Sequence, residues 1–164
     1  MSQLVVIGGG PAGVTAALRA RELGTEVALI ERNKLGGTCT NGGCVPTRAL
    51  AKAARLVRIA EQFAEYGLWG PAPEVDFPGV LRAATRVVEE VHDKKRIRDR
   101  LEEAGVEVHD AAGDVRFLDP HTVRLETGGP AGTDGEIQGD RFVICVGGRW
   151  REARFPRLRA RPYP

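Results

Sequence analysis

The chain of 164 residues carries 24 Lys and Arg against 22 Asp and Glu, which gives a net charge of +2 at pH 7. So balanced a charge predicts no nucleic-acid partner and no anionic membrane surface, and no apolar run approaches the ~20 residues that cross a bilayer. The length fits a single domain. The N-terminus has no basic leader and only a short apolar run at 4–7, so we expect no signal peptide and a cytoplasmic protein.

The first part of the chain predicts a β-α-β unit. Residues 3–7 predict a short buried strand, the small and apolar residues of 12–23 predict a helix, and 26–31 predict a second buried strand. Gly24 stands where a helix would end. Such a unit implies two parallel strands joined by a right-handed crossover.

Two helical segments follow, with a loop between them. After Pro46, which suits the opening of a helix, apolar residues at helical spacing predict a helix over 48–66. The stretch 67–79 predicts a loop, and 80–104 predicts a long amphipathic helix. Basic residues near the end of that helix alternate with Glu and Asp, so we expect a solvated surface there.

Beyond Gly105 the pattern becomes that of β-structure. Short alternating or apolar runs predict a small meander and a final core strand, and these runs are 106–109, 114–119, 122–127 and 141–146. The predicted fold class is therefore α/β, with a Rossmann-type parallel sheet, helices and a small antiparallel β-meander. We assign 1–149 to this domain and 150–164 to an irregular tail rich in Arg and Pro.

A glycine motif follows the first predicted strand. Gly8, Gly10 and Gly13 fit the pattern G-x-G-x-x-G at the start of the predicted helix, and Glu31 ends the second strand. In this setting the glycines permit a tight turn and a close approach of a pyrophosphate, and the helix start attracts its charge. Glu31 would accept hydrogen bonds from a ribose diol and would disfavour a 2′-phosphate. The motif alone does not decide between NAD and FAD.

Two of the three cysteines, Cys39 and Cys44, lie five positions apart. On a regular helix their Cα atoms would be separated by a rise of about 7.5 Å, and their side chains would point roughly 140° apart. A disulfide could not join them in that geometry. The intervening Asn41-Gly42-Gly43 suits a distorted segment in which the pair could close, and a thiol near a helix start has a lowered pKa. A redox-active disulfide is favoured over an inert pair or a zinc site, and Cys145 is expected in the core.

The sequence GGTCTNGGCVPTR at 36–48, soon after the glycine motif and Glu31, resembles the signature of the pyridine nucleotide-disulfide oxidoreductases. This family includes dihydrolipoamide dehydrogenase, glutathione reductase and mercuric reductase, and the resemblance covers 3 to about 149. It implies FAD as the cofactor, NAD(P)H as the electron donor, a small disulfide or metal ion as the substrate, and a homodimer. It further implies that Cys44 lies nearest the flavin and that Cys39 attacks the substrate.

The resemblance also implies which residues bind FAD. The glycine motif would hold the pyrophosphate, Glu31 the adenosine ribose, and the segment around Gly113 and Val115 the adenine. The complete set of cofactor residues implied in this way is Gly8, Gly10, Pro11, Ala12, Gly13, Glu31, Arg32, Gly37, Thr38, Arg48, Gly113, Val115 and Gly147.

The chain departs from the family pattern in three ways. Arg48 stands where the family has a lysine near the flavin, and Val146 stands where it has a threonine. The family's second dinucleotide motif, its later FAD segment and its C-terminal interface domain do not occur. We therefore expect the FAD-binding portion of a truncated reductase. The alternative is a nucleotide- or FAD-binding module, or an inactive fragment, without full turnover.

Overall fold

The computed structural model of the protein describes residues 3–126 and 135–148. The predicted tail at 150–164 lies outside these residues. In chain order the elements are β1 (Gln3–Ile7), α1 (Pro11–Glu22), β2 (Glu26–Ile30), α2 (Gly37–Asn41), α3 (Cys44–Glu61), a 3-10 helix (Phe63–Tyr66), α4 (Phe77–Lys95), α5 (Ile97–Glu103), β3 (Glu107–His109), β4 (Val115–Asp119), β5 (Thr122–Leu125), β6 (Glu136–Gln138) and β7 (Arg141–Ile144).

A four-stranded parallel sheet with the order β3-β2-β1-β7 forms the centre of the fold. Alternate residues of β1 face opposite sides, as the two-residue period of a strand requires. Val6 packs with Ala17 of α1 and Leu101 of α5, whereas Val5 and Ile7 pack against the meander. The sheet is thus covered on both faces, as parallel sheets generally are. The predicted α/β class is confirmed.

The meander is a separate antiparallel sheet with the order β4-β5-β6. Its buried side chains, Val123, Leu125 and Ile137, lie over the central sheet. Two details of the predicted meander were wrong. The strand expected at 106–109 pairs instead with β2 in the parallel sheet, and β6, for which no strand was predicted, supplies the third strand.

The prediction of one helix over 80–104 was wrong, because this part of the chain forms two helices. The first, α4, begins at Phe77, and Arg96, which adopts left-handed backbone angles (φ 45°, ψ 46°), separates it from α5. Arg96 contacts Asp99 at 2.7 Å and Glu103 at 3.4 Å. The change of direction allows α5 to bury Leu101 completely under the sheet. Among the described residues, no helix combines the length and apolar character needed to cross a bilayer.

Candidate nucleotide and thiol site

The turn between β1 and α1 is built by glycines that the backbone itself requires. Gly8 has a φ of +111°, and a Cβ there would lie 2.6 Å from the carbonyl carbon of Cys145, which directly follows β7. A Cβ at Gly13 would overlap the carbonyl oxygen of Gly8 and lie 3.0 Å from its carbonyl carbon. These two positions therefore allow strand, turn and helix to approach closely.

Gly10 differs from its two partners in the motif. It is the N-cap of α1 with ordinary extended backbone angles, and the nearest atom to an added Cβ would be the Cα of Gly37 at 3.7 Å. The protein's own packing therefore does not require a glycine here. Because the first N–H groups of a helix lack intrahelical partners, the bare backbone of Gly10 leaves room for a phosphate at the start of α1.

Glu31 lies just beyond the carboxyl end of β2, next to this turn. Its Oε2 accepts a hydrogen bond from the Gly9 amide at 2.7 Å, and its Oε1 accepts one from the Asn33 amide at 2.9 Å. The two contacts fix the carboxylate at the cleft. Since each carboxylate oxygen can accept more than one hydrogen bond, the expected ribose contact is compatible with this arrangement.

A cleft of about 1000 Å³ lies along the carboxyl ends of β1, β2 and β7, where ligands bind in open α/β sheets. It brings together twelve of the predicted site residues, namely Gly8, Gly10, Pro11, Ala12, Glu31, Arg32, Gly37, Thr38, Cys39, Gly113, Val115 and Gly147. Three predicted residues do not line it: Gly13 lies buried in α1, while Cys44 and Arg48 are exposed on α3.

Sequence reasoning missed several cleft residues. Those without a prediction are Asn33, Lys34, Asn41, Gly42, Asp114 and Gly148. Their position in the sequence could have indicated them, because each follows the end of a strand or lies close to a predicted site residue. Cys145, expected in the core, packs beside the helical face of the sheet but is only half-buried and also lines the cleft.

The cysteine segment consists of two helices with a break between them. Cys39 lies in the short helix α2, Cys44 is the first residue of α3, and Gly42 and Gly43 separate the two. A Cβ at Gly43 would lie 2.9 Å from the Thr38 carbonyl oxygen, so the break is tight. The predicted distortion exists at Gly42 and Gly43, α2 is a short helix for which no prediction was made, and α3 begins four residues before the predicted start at 48. All three cysteines are free thiols, so the disulfide stays a prediction.

The two neighbouring thiols influence one another. The hydrogen bond with the Cys44 side chain is the main cause that raises the pKa of Cys39, and burial and the charge of Cys44 act in the same direction. The Lys95 ammonium and the Cys44 backbone amide lower it. Cys39 lies in α2, five residues before α3 begins at Cys44, so this rise does not bear on the expectation for a thiol at a helix start.

Helix α4 contacts α2 through a side-chain hydrogen bond. The Asn41 amide nitrogen donates to the carbonyl oxygens of Lys34 and Leu35, so its Oδ1 is the acceptor for His92 Nε2 at 2.7 Å. His92 therefore carries a proton on Nε2. Burial, followed by the charges of Lys34 and Lys95, lowers the pKa of His92, which favours the neutral ring at pH 7. Within the described part of the chain, no group of three His, Cys, Asp or Glu residues could hold a metal ion.

Comparisons with known proteins agree with this geometry. Residues 2–160 match the family described as pyridine nucleotide-disulphide oxidoreductase. A dihydrolipoyl dehydrogenase of Haloarcula marismortui is 33% identical over 90% of this chain and 30% of its own length. A mercuric reductase of Lysinibacillus sphaericus is 32% identical over 88% of this chain and 24% of its own length.

A solved structure is similar over nearly the whole chain. It is the Cu(II) complex of the HOCl-induced flavoprotein disulfide reductase RclA from Escherichia coli, with a TM-score of 0.63 and 29% identity, and the match covers 98% of this chain and 31% of that one. The chain thus spans about 30% of the length of the relatives it matches, and the match lies on their N-terminal part.

Proposed function

Because the chain belongs to the pyridine nucleotide-disulphide oxidoreductase family, we propose that it is the FAD-binding portion of a flavin-dependent disulfide reductase. One observation carries the proposal: a single cleft joins the start of α1, the Glu31 carboxylate and the Cys39 thiol. A dinucleotide along this cleft would have phosphate and ribose partners at one end and a thiol at the other.

The residues present fit FAD. Gly10 offers a bare backbone toward the cleft, and a Cβ there would fill cleft space without touching the protein closely. The α1 N-terminus supplies N–H groups and a partial positive charge for the pyrophosphate. Glu31, fixed by the Gly9 and Asn33 amides, supplies acceptors for the adenosine ribose. Gly113 and Val115 border the cleft beside the expected adenine.

The cysteine pair supplies the thiol chemistry. The Cys39 thiolate attacks a sulfur of the substrate disulfide, forms a mixed disulfide and releases one substrate thiolate. The Cys44 thiolate then attacks Cys39, which forms the Cys39–Cys44 disulfide and releases the second substrate thiolate. Bound FAD, once reduced by NAD(P)H, would supply the electron pair that reduces this disulfide again. In a protein of the relatives' full length, we propose NAD(P)H as the electron donor, a small disulfide or metal ion as the substrate, a homodimer, and a cytoplasmic location.

A flavin titration tests the nucleotide site. Quenching of flavin fluorescence as the chain is added should show saturable binding of FAD, and ADP should compete because it carries the adenosine and pyrophosphate. Riboflavin, which lacks both, is the matched control and should bind far more weakly. Equal binding of riboflavin and FAD would contradict a site at α1 and Glu31, and no binding of either would leave the chain an inactive fragment.

A trapping experiment tests the thiol roles without NAD(P)H. Cys44→Ser, treated with a small aromatic disulfide, should accumulate a stable mixed disulfide at Cys39, because the resolving thiol is missing. Cys39→Ser should react more slowly and only at Cys44. The measurement is the mass of the intact protein and of the peptide spanning both positions. Faster trapping at Cys44 in Cys39→Ser than at Cys39 in Cys44→Ser would reverse the assigned roles.

A further inference from the structure

The helix that carries Cys39 is attached to α4 through the two residues that follow Cys39. Thr40 is fully buried, and its Oγ1 accepts a hydrogen bond from Lys95 Nζ at 3.1 Å. The next residue, Asn41, contacts His92 of the same helix. Because successive residues of a helix point about 100° apart, Thr40 can face α4 while Cys39 stays exposed at the cleft.

The attachment places a positive charge beside the cysteine pair. Lys95 is the last residue of α4, and its ammonium is held at the residue that follows Cys39. The charged and titratable groups that act on Cys39 are Cys44 from α3 and Lys95 from α4. Cys44 raises the pKa of Cys39, chiefly through the thiol–thiol hydrogen bond, whereas the charge of Lys95 lowers it. His92, the other titratable group of the attachment, favours its neutral form.

We propose that Lys95 is a positioning residue for thiol exchange, which is held by Thr40 and keeps its ammonium beside Cys39 so that more of this thiol is ionised at neutral pH. The role rests on the proposed function, in which Cys39 attacks the substrate. Only the thiolate is nucleophilic. The hydrogen bond between the two thiols raises the pKa of Cys39 and so lowers the fraction of Cys39 that is thiolate at neutral pH. A fixed cation next to the pair offsets this cost. Since Lys95 is exposed, salt should weaken its effect.

The test is the pH dependence of Cys39 alkylation in the reduced chain of 164 residues. Iodoacetamide modification is followed by fragment-resolved mass spectrometry, because Cys39 and Cys44 lie in one tryptic peptide. Lys95→Met should move the alkylation midpoint of Cys39 upward by about half a pH unit, which is about threefold less thiolate at neutral pH. Lys95→Arg should keep the wild-type midpoint. Neither FAD nor a nicotinamide enters the assay, so its outcome is independent of the flavin titration.

The matched control is Lys94→Met, which removes the same charge from the neighbouring exposed position of α4. It should leave the midpoint unchanged. Thr40→Val, which removes the acceptor but retains Lys95, should give a smaller upward shift than Lys95→Met. Identical midpoints in the wild type and Lys95→Met would overturn the proposal, and so would an equal shift in Lys94→Met. The two lysine variants decide the question even if the buried valine prevents folding.

Discussion

Replacing Gly10 by alanine is expected to weaken FAD binding while leaving the fold intact. An added Cβ meets nothing in the protein closer than 3.7 Å, and the backbone angles of Gly10 suit any residue. The methyl group would instead occupy the floor of the cleft, where the pyrophosphate must approach the start of α1. Overpacking of this kind costs about 1–3 kcal/mol, so the FAD dissociation constant should rise roughly fivefold to 150-fold.

Two measurements separate this effect from unfolding. The thermal midpoint of Gly10→Ala should equal that of the wild type, and the fluorescence titration should show the weaker binding. Gly70→Ala is the control, because a Cβ there also meets open space but Gly70 lies in the exposed loop before α4. It should change neither quantity. If Gly10→Ala bound FAD with wild-type affinity, the pyrophosphate could not lie against this turn.

Much of the core could be predicted from sequence because it is local. The strands β1 and β2 and the helix between them follow from the spacing of apolar residues, which changes from strand period to helix period and back. Gly8 and Gly13 fix the turn. The carboxyl ends of parallel strands meet at one sheet edge, so Glu31 and the glycines had to share a cleft. The confirmed α/β class and the family follow from these same residues.

The elements that were missed depend on contacts distant in sequence. The strand β3 has the same alternating pattern as a meander strand, and only its pairing with β2 places it in the central sheet. Arg96 sits inside a continuous helical pattern, and the break there becomes favourable because α5 buries Leu101 under the sheet. Helix α2 contains glycine and two threonines, which are weak helix formers, and its contacts with α4 through Thr40 and Asn41 favour it.

The site shows the same division between local and distant signals. The resemblance implied that Cys44 lies nearest the flavin, whereas Cys39 is the one of the two that lines the cleft with the glycine turn. The pKa of Cys39 could not be predicted from the motif. The hydrogen bond with the Cys44 side chain raises it. The partners of Asn41 and Thr40, His92 and Lys95, lie more than fifty positions away, and no pattern in the sequence links them.

Replacing Gly13 by alanine is expected to destabilise the whole domain. A helix is normally more stable by about 1 kcal/mol with alanine than with glycine at an interior position, so helix propensity alone predicts that Gly13→Ala stabilises the protein. Here the added Cβ would overlap the carbonyl oxygen of Gly8 and lie 3.4 Å from the Cβ of Cys145. The Gly8 carbonyl oxygen belongs to the backbone, so it cannot move aside by a change of rotamer. The helix would have to shift from the sheet, at a cost of about 3 kcal/mol, which corresponds to a thermal midpoint roughly 6–12 °C lower.

The comparison variant is Thr15→Ala, two positions further along the exposed side of α1. It makes a smaller gain in helix propensity without an obstacle, so its thermal midpoint should equal or slightly exceed that of the wild type. Gly13→Ala should lose FAD binding in proportion to its unfolded fraction, whereas Gly10→Ala loses it in the folded state. If Gly13→Ala proved as stable as Thr15→Ala, α1 could not lie against β1 and β7 as closely as described, and the position of the cleft floor would be wrong with it.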